Sequence, residues 1–132
     1  MPERSAVGCL GGVRVLIAED DGLLADTWAV LLEEEGARIL GPYAASAPAI
    51  DCVRSGNIDF ALVDMNLIDN FADGLLQELA VESIPCAVLT GFYALPSNCL
   101  DLAVQVFRKP VEIRDVIDLI CKHLPRNVRP GL

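Results

Sequence analysis

Phe60-Ala61-Leu62-Val63-Asp64-Met65-Asn66 constrains the chain more than any other stretch. Four apolar residues without alternation describe a strand buried on both faces, the signature of a parallel sheet covered by helices. The run ends on a carboxylate, and in open α/β sheets ligands bind beyond the carboxyl ends of the strands. A lone Asp in that place would more readily be a turn former. Asp64 has company, because three other strand ends carry polar groups of matching chemistry.

The other elements follow from periodicity. Residues 13–18 read as a strand ending at Glu19-Asp20-Asp21. Leu23, Leu24, Thr27, Trp28, Leu31 and Leu32 recur at helical spacing, predicting a helix over 22–35 with Trp28 in its buried stripe. Asp21 is placed to cap it and Gly36 to end it. Residues 38–43 form a second strand, and Gly41-Pro42 suits an edge position. Ser46 is the expected cap of a short helix carrying Ile50 and Val53. The third strand covers 59–64, and after a loop Asp73 is the expected cap of a helix through Leu75, Leu76 and Leu79.

Residues 86–89 form a fourth strand ending at Thr90-Gly91. Pro96 and Ser97 leave room between 92 and 103 for only a short or irregular helix. Residues 104–107 form a fifth strand ending at Lys109-Pro110, and Ile113 to Leu124 is an amphipathic helix with His123 near its end. Strands alternating with helices imply βαβ units and one parallel sheet, with five strands and five helices filling the length. Residues 1–12 read as a flexible leader, 13–124 as one domain and 125–132 as a tail.

Composition narrows the function. A net charge of −9 argues against a nucleic-acid partner, whose phosphates demand a basic face. No apolar run reaches the length of a membrane span or a signal peptide core. The five cysteines lack CxxC spacing, which argues against a disulfide framework and fits a reducing cytoplasm.

Glu19, Asp20 and Asp64 converge if strands one and three are neighbours. Unrelieved, three carboxylates repel, and a hard divalent ion such as Mg²⁺ relieves them. Thr90 offers a hydroxyl and Lys109 an ammonium, which suit a phosphoryl group on an Asp nucleophile. Each piece has a blander reading: an acidic helix cap, a β-branched strand residue, a solvated lysine. Their occurrence in order, each at a strand end, favours the functional one.

Glu19-Asp20, Asp64, Thr90 and Lys109-Pro110 together resemble the receiver domain of two-component response regulators, over residues 13 to about 124. The resemblance implies a flavodoxin-like fold of strand order 2-1-3-4-5. It also implies that Asp64 accepts a phosphoryl group from a histidine kinase or histidine phosphotransfer protein. By the same resemblance Asp20, Asp64 and the backbone carbonyl of Asn66 ligate Mg²⁺, and Glu19 holds a metal-bound water. Thr90 and Lys109 would grip phosphoryl oxygens, and the Lys109–Pro110 peptide would be cis.

Receivers usually carry Tyr or Phe three residues before the lysine, where this chain has Val106. Phe107 points to the opposite face and cannot substitute. The loop from Asp64 to Gly74 looks longer than usual in such domains, and the segment from Thr90 to Lys109 shorter. Leu89-Thr90-Gly91-Phe92 resembles the Phe-Ala-Thr-Gly-Tyr signature of stand-alone alphaproteobacterial receivers. Gly91 would keep the phosphate site open, and Phe92 would gate it or cover the shortened fourth helix.

The reading is therefore a stand-alone, non-enzymatic phosphoacceptor. It would signal through a downstream protein target or act as a phosphate sink, as a monomer or weak homodimer. A phosphorylation-independent interaction module is the alternative. A phosphohydrolase of the haloacid-dehalogenase type is disfavoured, since Asn66 stands where its general acid would be.

Overall fold

The structure, a computed structural model, describes residues 8–69, 71–91 and 98–124. Strand β3 (Phe60–Asp64) is buried at every position, as its unbroken apolar run requires. It lies between β1 (Arg14–Ala18) and β4 (Cys86–Thr90), with β2 (Arg38–Tyr43) and β5 (Gln105–Arg108) at the edges. All pairings are parallel and the order is β2-β1-β3-β4-β5, the flavodoxin-like order.

The two-residue period of the strands sorts their side chains into two cores. Val15, Ile17, Phe60, Leu62, Ala87 and Leu89 face helices α1 (Gly22–Glu34) and α4 (Ile113–His123), packing on Trp28, Leu32, Val116, Ile117 and Ile120. Leu16, Ala18, Ala61, Val63, Cys86 and Val88 face α2 (Ser46–Ser55) and α3 (Ala72–Val81), packing on Ile50, Val53, Leu75, Leu76 and Leu79. Each fully buried Leu or Ile contributes about 1.5–3 kcal/mol over its exposed state. Register matters to function because it aligns the strand ends: Ala18 pairs with Val63, Asp64 with Leu89 and Thr90 with Arg108.

Helix α1 is bounded as its sequence indicates. Asp21 accepts from the Leu24 N–H at 3.2 Å. At the other end Gly36, at φ 100°, lets the Ala37 N–H reach back to the Leu32 carbonyl at 3.1 Å. The caps of α2 and α3 differ from expectation. Ser46 is the first residue of α2 rather than its cap, and Asp69, from the loop after β3, accepts from the Ser46 and Ala47 amides at 2.9–3.2 Å. The cap is thus delivered by a residue distant in sequence. Asp73 is likewise inside the first turn of α3, where its charge complements the helix dipole. The helix starts earlier, at Ala72 after Phe71, because Ala72 is drawn into the core and the Gly74 N–H closes a turn onto the Phe71 carbonyl at 3.1 Å.

Between β4 and β5 the described residues hold a 3₁₀ turn, Asn98–Leu102, in place of a fifth α-helix. Strand β5 begins one residue later than expected, although the Val104 N–H already donates to the Cys86 carbonyl at 2.8 Å. The leader through residue 7, Phe92, Pro96, Ser97 and the tail 125–132 lie outside the described residues. No described helix is long and apolar enough to cross a membrane.

Candidate phosphoacceptor site

The site is built where four strands stop. Asp64 is the last residue of β3 and is 1% exposed, and Glu19, directly after β1, is 2% exposed. Asp20 projects into solvent beside them. One carboxylate oxygen from each of the three lies within 4.8 Å of the others. The convergence rests on β1 and β3 being neighbours.

Lys109, just past β5, reaches across the sheet end. Its Nζ lies 2.9 Å from Asp64 Oδ2 and 3.1 Å from Glu19 Oε1, and it donates to Glu19 Oε2 at 3.3 Å. Buried Oε1 is left with a charge contact and no hydrogen bond. The Asn66 N–H donates to Asp64 Oδ1 at 3.0 Å, and the Asp21 N–H to Glu19 Oε2 at 3.2 Å. Thr90 ends β4, with its hydroxyl donating weakly to the Phe107 carbonyl at 3.4 Å. A Cβ added at Gly91 would stand 3.4 Å from Asn66 Nδ2, so Gly91 and Asn66 share the rim of the site. The Lys109–Pro110 peptide is cis.

Three carboxylates thus face one ammonium. Burial, reinforced by the hydrogen bond and negative charge of Asp64, pushes Glu19 up to about 8 against the pull of the Asp21 amide and Lys109. Burial also opposes ionisation of Asp64, but the hydrogen bonds from Glu19, the Asn66 amide and Lys109 outweigh it and hold Asp64 below its ordinary value. Burial likewise works against the Lys109 charge, and the two carboxylates more than restore it. Glu19 is thus the carboxylate pushed towards its protonated form, and Asp64 the one held towards its anion.

This division has a pH signature. Without metal, the folded protein keeps a proton on Glu19 that the unfolded chain releases, between the ordinary value of 4.5 and about 8. Stability from this group therefore falls as pH rises through that window. The contribution of Asp64 has the opposite sign, but it is complete above its unfolded value of 3.8 and is lost only as pH falls through its lowered folded value. Urea midpoints in chelator should show Glu19→Gln gaining on the native protein as pH climbs from 4.5 to 8. A gap that stays constant over that range contradicts the assignment.

Two features were not visible in the sequence: the Lys109–Glu19 ion pair, and an open pocket of about 380 Å³ beside Lys109, lined by Leu24, Trp28, Pro110 and Val111. Val106 is 39% exposed, while Phe107 packs towards α1 and α4 on the other face of the sheet. Phe92 lies outside the described residues.

No protein-family model matches the chain. It is 31% identical over 111 residues to the transcriptional regulatory protein PdtaR of Mycobacterium tuberculosis, across 81% of this chain and 54% of PdtaR. The chain thus spans about half the length of the curated relative it matches. Among solved structures, it is similar to a CheY-like response regulator receiver domain protein from Methanospirillum hungatei, with a TM-score of 0.74 and 25% identity. That match covers 83% of this chain and 91% of the other. It is also similar to the response regulator TrrA of Thermotoga maritima in complex with Mg(2+)-BeF, with a TM-score of 0.73 and 18% identity, over 83% and 97% of the two chains. The chain has the fold of a CheY-like response regulator receiver domain, and such domains are its structural neighbours.

Proposed function

We propose that this chain is a two-component phosphoacceptor in which Asp64 takes a phosphoryl group from the phosphohistidine of a kinase or phosphotransfer protein. The observation that carries the reading is an Asp64 held ionised at the end of β3, with Lys109 Nζ at 2.9 Å and two further carboxylates beside it. An Asp64 oxygen attacks phosphorus, the imidazole leaves, and Lys109 and the Thr90 hydroxyl neutralise the transferred oxygens.

The donor set fits a hard divalent cation. It supplies only oxygen ligands, it carries more negative charge than Lys109 balances, and Glu19 Oε1 is buried without a hydrogen bond. Asp20, Asp64 and the Asn66 carbonyl would hold Mg²⁺, with Glu19 acting through water. When bound, the ion would add the positive charge that phosphoryl transfer to a carboxylate requires. The TrrA complex with Mg(2+)-BeF supports this reading by analogy.

Output is proposed to run through protein partners: the donor, and a target that recognises the phosphorylated rim. Val106 offers no aromatic ring to follow Thr90, so a phosphate-sink role, which needs no conformational relay, is compatible with this chain. Trp28 is the only tryptophan and lines the pocket next to Lys109, which makes it a reporter. Mg²⁺ with beryllium fluoride should change Trp28 emission saturably. Asp64→Asn should weaken that response at least about tenfold, a change of roughly 1.4 kcal/mol. An unchanged titration in the variant counts against the site.

A further inference from the structure

The acceptor chemistry uses no sulfur, yet the fold brings two cysteines from opposite ends of the chain together. Cys9 and Cys121 are 112 positions apart, and the Cys121 thiol donates to the Cys9 carbonyl at 3.6 Å. The covalent geometry of a carbonyl then keeps the Cys9 Cα within about 6 Å of that sulfur. Rotation of the Cys9 side chain can carry its sulfur towards Cys121, and closing the bond requires the backbone to bring the two Cα atoms within about 7 Å.

The contact is held from both sides. Leu10 is fully buried, its N–H donates to the Glu35 carbonyl at 3.0 Å, and the Gly12 N–H donates to the Gly36 carbonyl at 3.0 Å. Gly8, at φ 71°, is pressed so closely on the end of α1 that a Cβ there would stand 2.3 Å from the Glu35 oxygen. Cys121 rides on α4, whose Val116, Ile117 and Ile120 share a core with Leu10. The Cys9 side chain is exposed and Cys121 is half-buried behind it. The exposed thiol is open to an oxidant, and the second thiol lies against its main chain.

The remaining cysteines are placed differently. Burial pushes the Cys86 thiol up to about 11, which suppresses its thiolate. Cys52 and Cys99 pack on the opposite face of the sheet, against the α2 and α3 core.

We propose that Cys9 and Cys121 form a reversible intramolecular disulfide, an oxidation-responsive staple between the N-terminal segment and the last helix. With a peroxide as oxidant, the Cys9 thiolate attacks one peroxide oxygen, giving a sulfenic acid and, after protonation, water. The Cys121 thiolate then attacks the sulfenic sulfur, the S–O bond breaks, and the hydroxide leaves as a second water. Two thiols are oxidised by two electrons and one peroxide is reduced. A small thiol reverses the step by exchange. The bond closes a loop over most of the chain, and its main effect falls on the unfolded ensemble.

The test is to treat the full chain with hydrogen peroxide, alkylate it in urea, and measure intact mass and peptide linkage. The oxidised protein should carry two fewer alkyl groups than the reduced one and yield a single Cys9–Cys121 linked peptide. Its urea midpoint should rise and return on adding dithiothreitol. Cys9→Ser and Cys121→Ser, each shown folded by circular dichroism, should abolish the linkage, whereas Cys52→Ser should retain it. Full alkylation after peroxide, a linked pair of other composition, a cross-linked dimer, or a midpoint rise that survives in Cys9→Ser would each overturn the proposal.

Discussion

Lys109→Met should lose about 2–3 kcal/mol of stability at pH 8 in chelator and accept phosphoryl groups about 100-fold more slowly. Both effects come from one ammonium. Lys109 Nζ is the cation shared by two carboxylates, and the side chains of Glu19 and Asp64 are 0% and 1% exposed. Removing one partner from a buried ion pair costs about 3–5 kcal/mol because the other charge is stranded. The expected loss is smaller here, since the Lys109 side chain is 25% exposed and Glu19 can keep its proton. Excess Mg²⁺ should restore part of the stability without restoring the rate, because the amine that meets the phosphoryl oxygen is gone. Chemical denaturation with and without Mg²⁺ separates the two effects. A variant as stable as the native protein in chelator would show that the cluster does not depend on Lys109.

Leu62→Ala should do the reverse, costing about 3 kcal/mol while leaving the acceptor chemistry in place. Leu62 is fully buried and lies two residues before Asp64 on the central strand, in the core shared with Trp28 and Ile117. Truncation leaves a cavity there. A domain of this size has about 5–15 kcal/mol in hand, so the variant should remain folded at room temperature. Asp64 is held in place by main-chain pairing: it sits opposite Leu89, and the next residue, Met65, donates its N–H to the Leu89 carbonyl at 3.0 Å. The urea midpoint should fall sharply while phosphoryl uptake stays within about threefold of native, less than 1 kcal/mol on the barrier. Loss of uptake in a folded Leu62→Ala protein would tie the site to core packing more tightly than the strand pairing indicates.

The sheet was legible because its strands are short apolar runs that end on polar residues. Phe60 to Asp64 has no alternation and lies at the centre, whereas Arg38 to Tyr43 carries Gly41-Pro42 and lies at the edge. The meeting of Glu19, Asp20 and Asp64 followed from placing strands one and three side by side. Capping was less legible where the cap is not local. Ser46 looked like a helix start because the sequence does not show that Asp69 folds back over the α2 amides. Asp73 misled because the burial of Ala72 starts α3 earlier. Within the site, residue types indicated which groups would meet. They could not indicate that Glu19 rather than Asp64 would keep the proton. That is a matter of fine balance in the folded site, where both carboxylates are buried, each accepts one main-chain amide and both meet Lys109, with the shorter contact, 2.9 Å against 3.1 Å, going to Asp64.

Metal-assisted phosphoryl transfer to Asp64 is read out by intact mass after incubation with acetyl phosphate and Mg²⁺. A single phosphoryl adduct should form, absent in Asp64→Asn and absent when a chelator replaces Mg²⁺. A folded protein that gains no mass, or an adduct that persists in Asp64→Asn, would contradict transfer to Asp64.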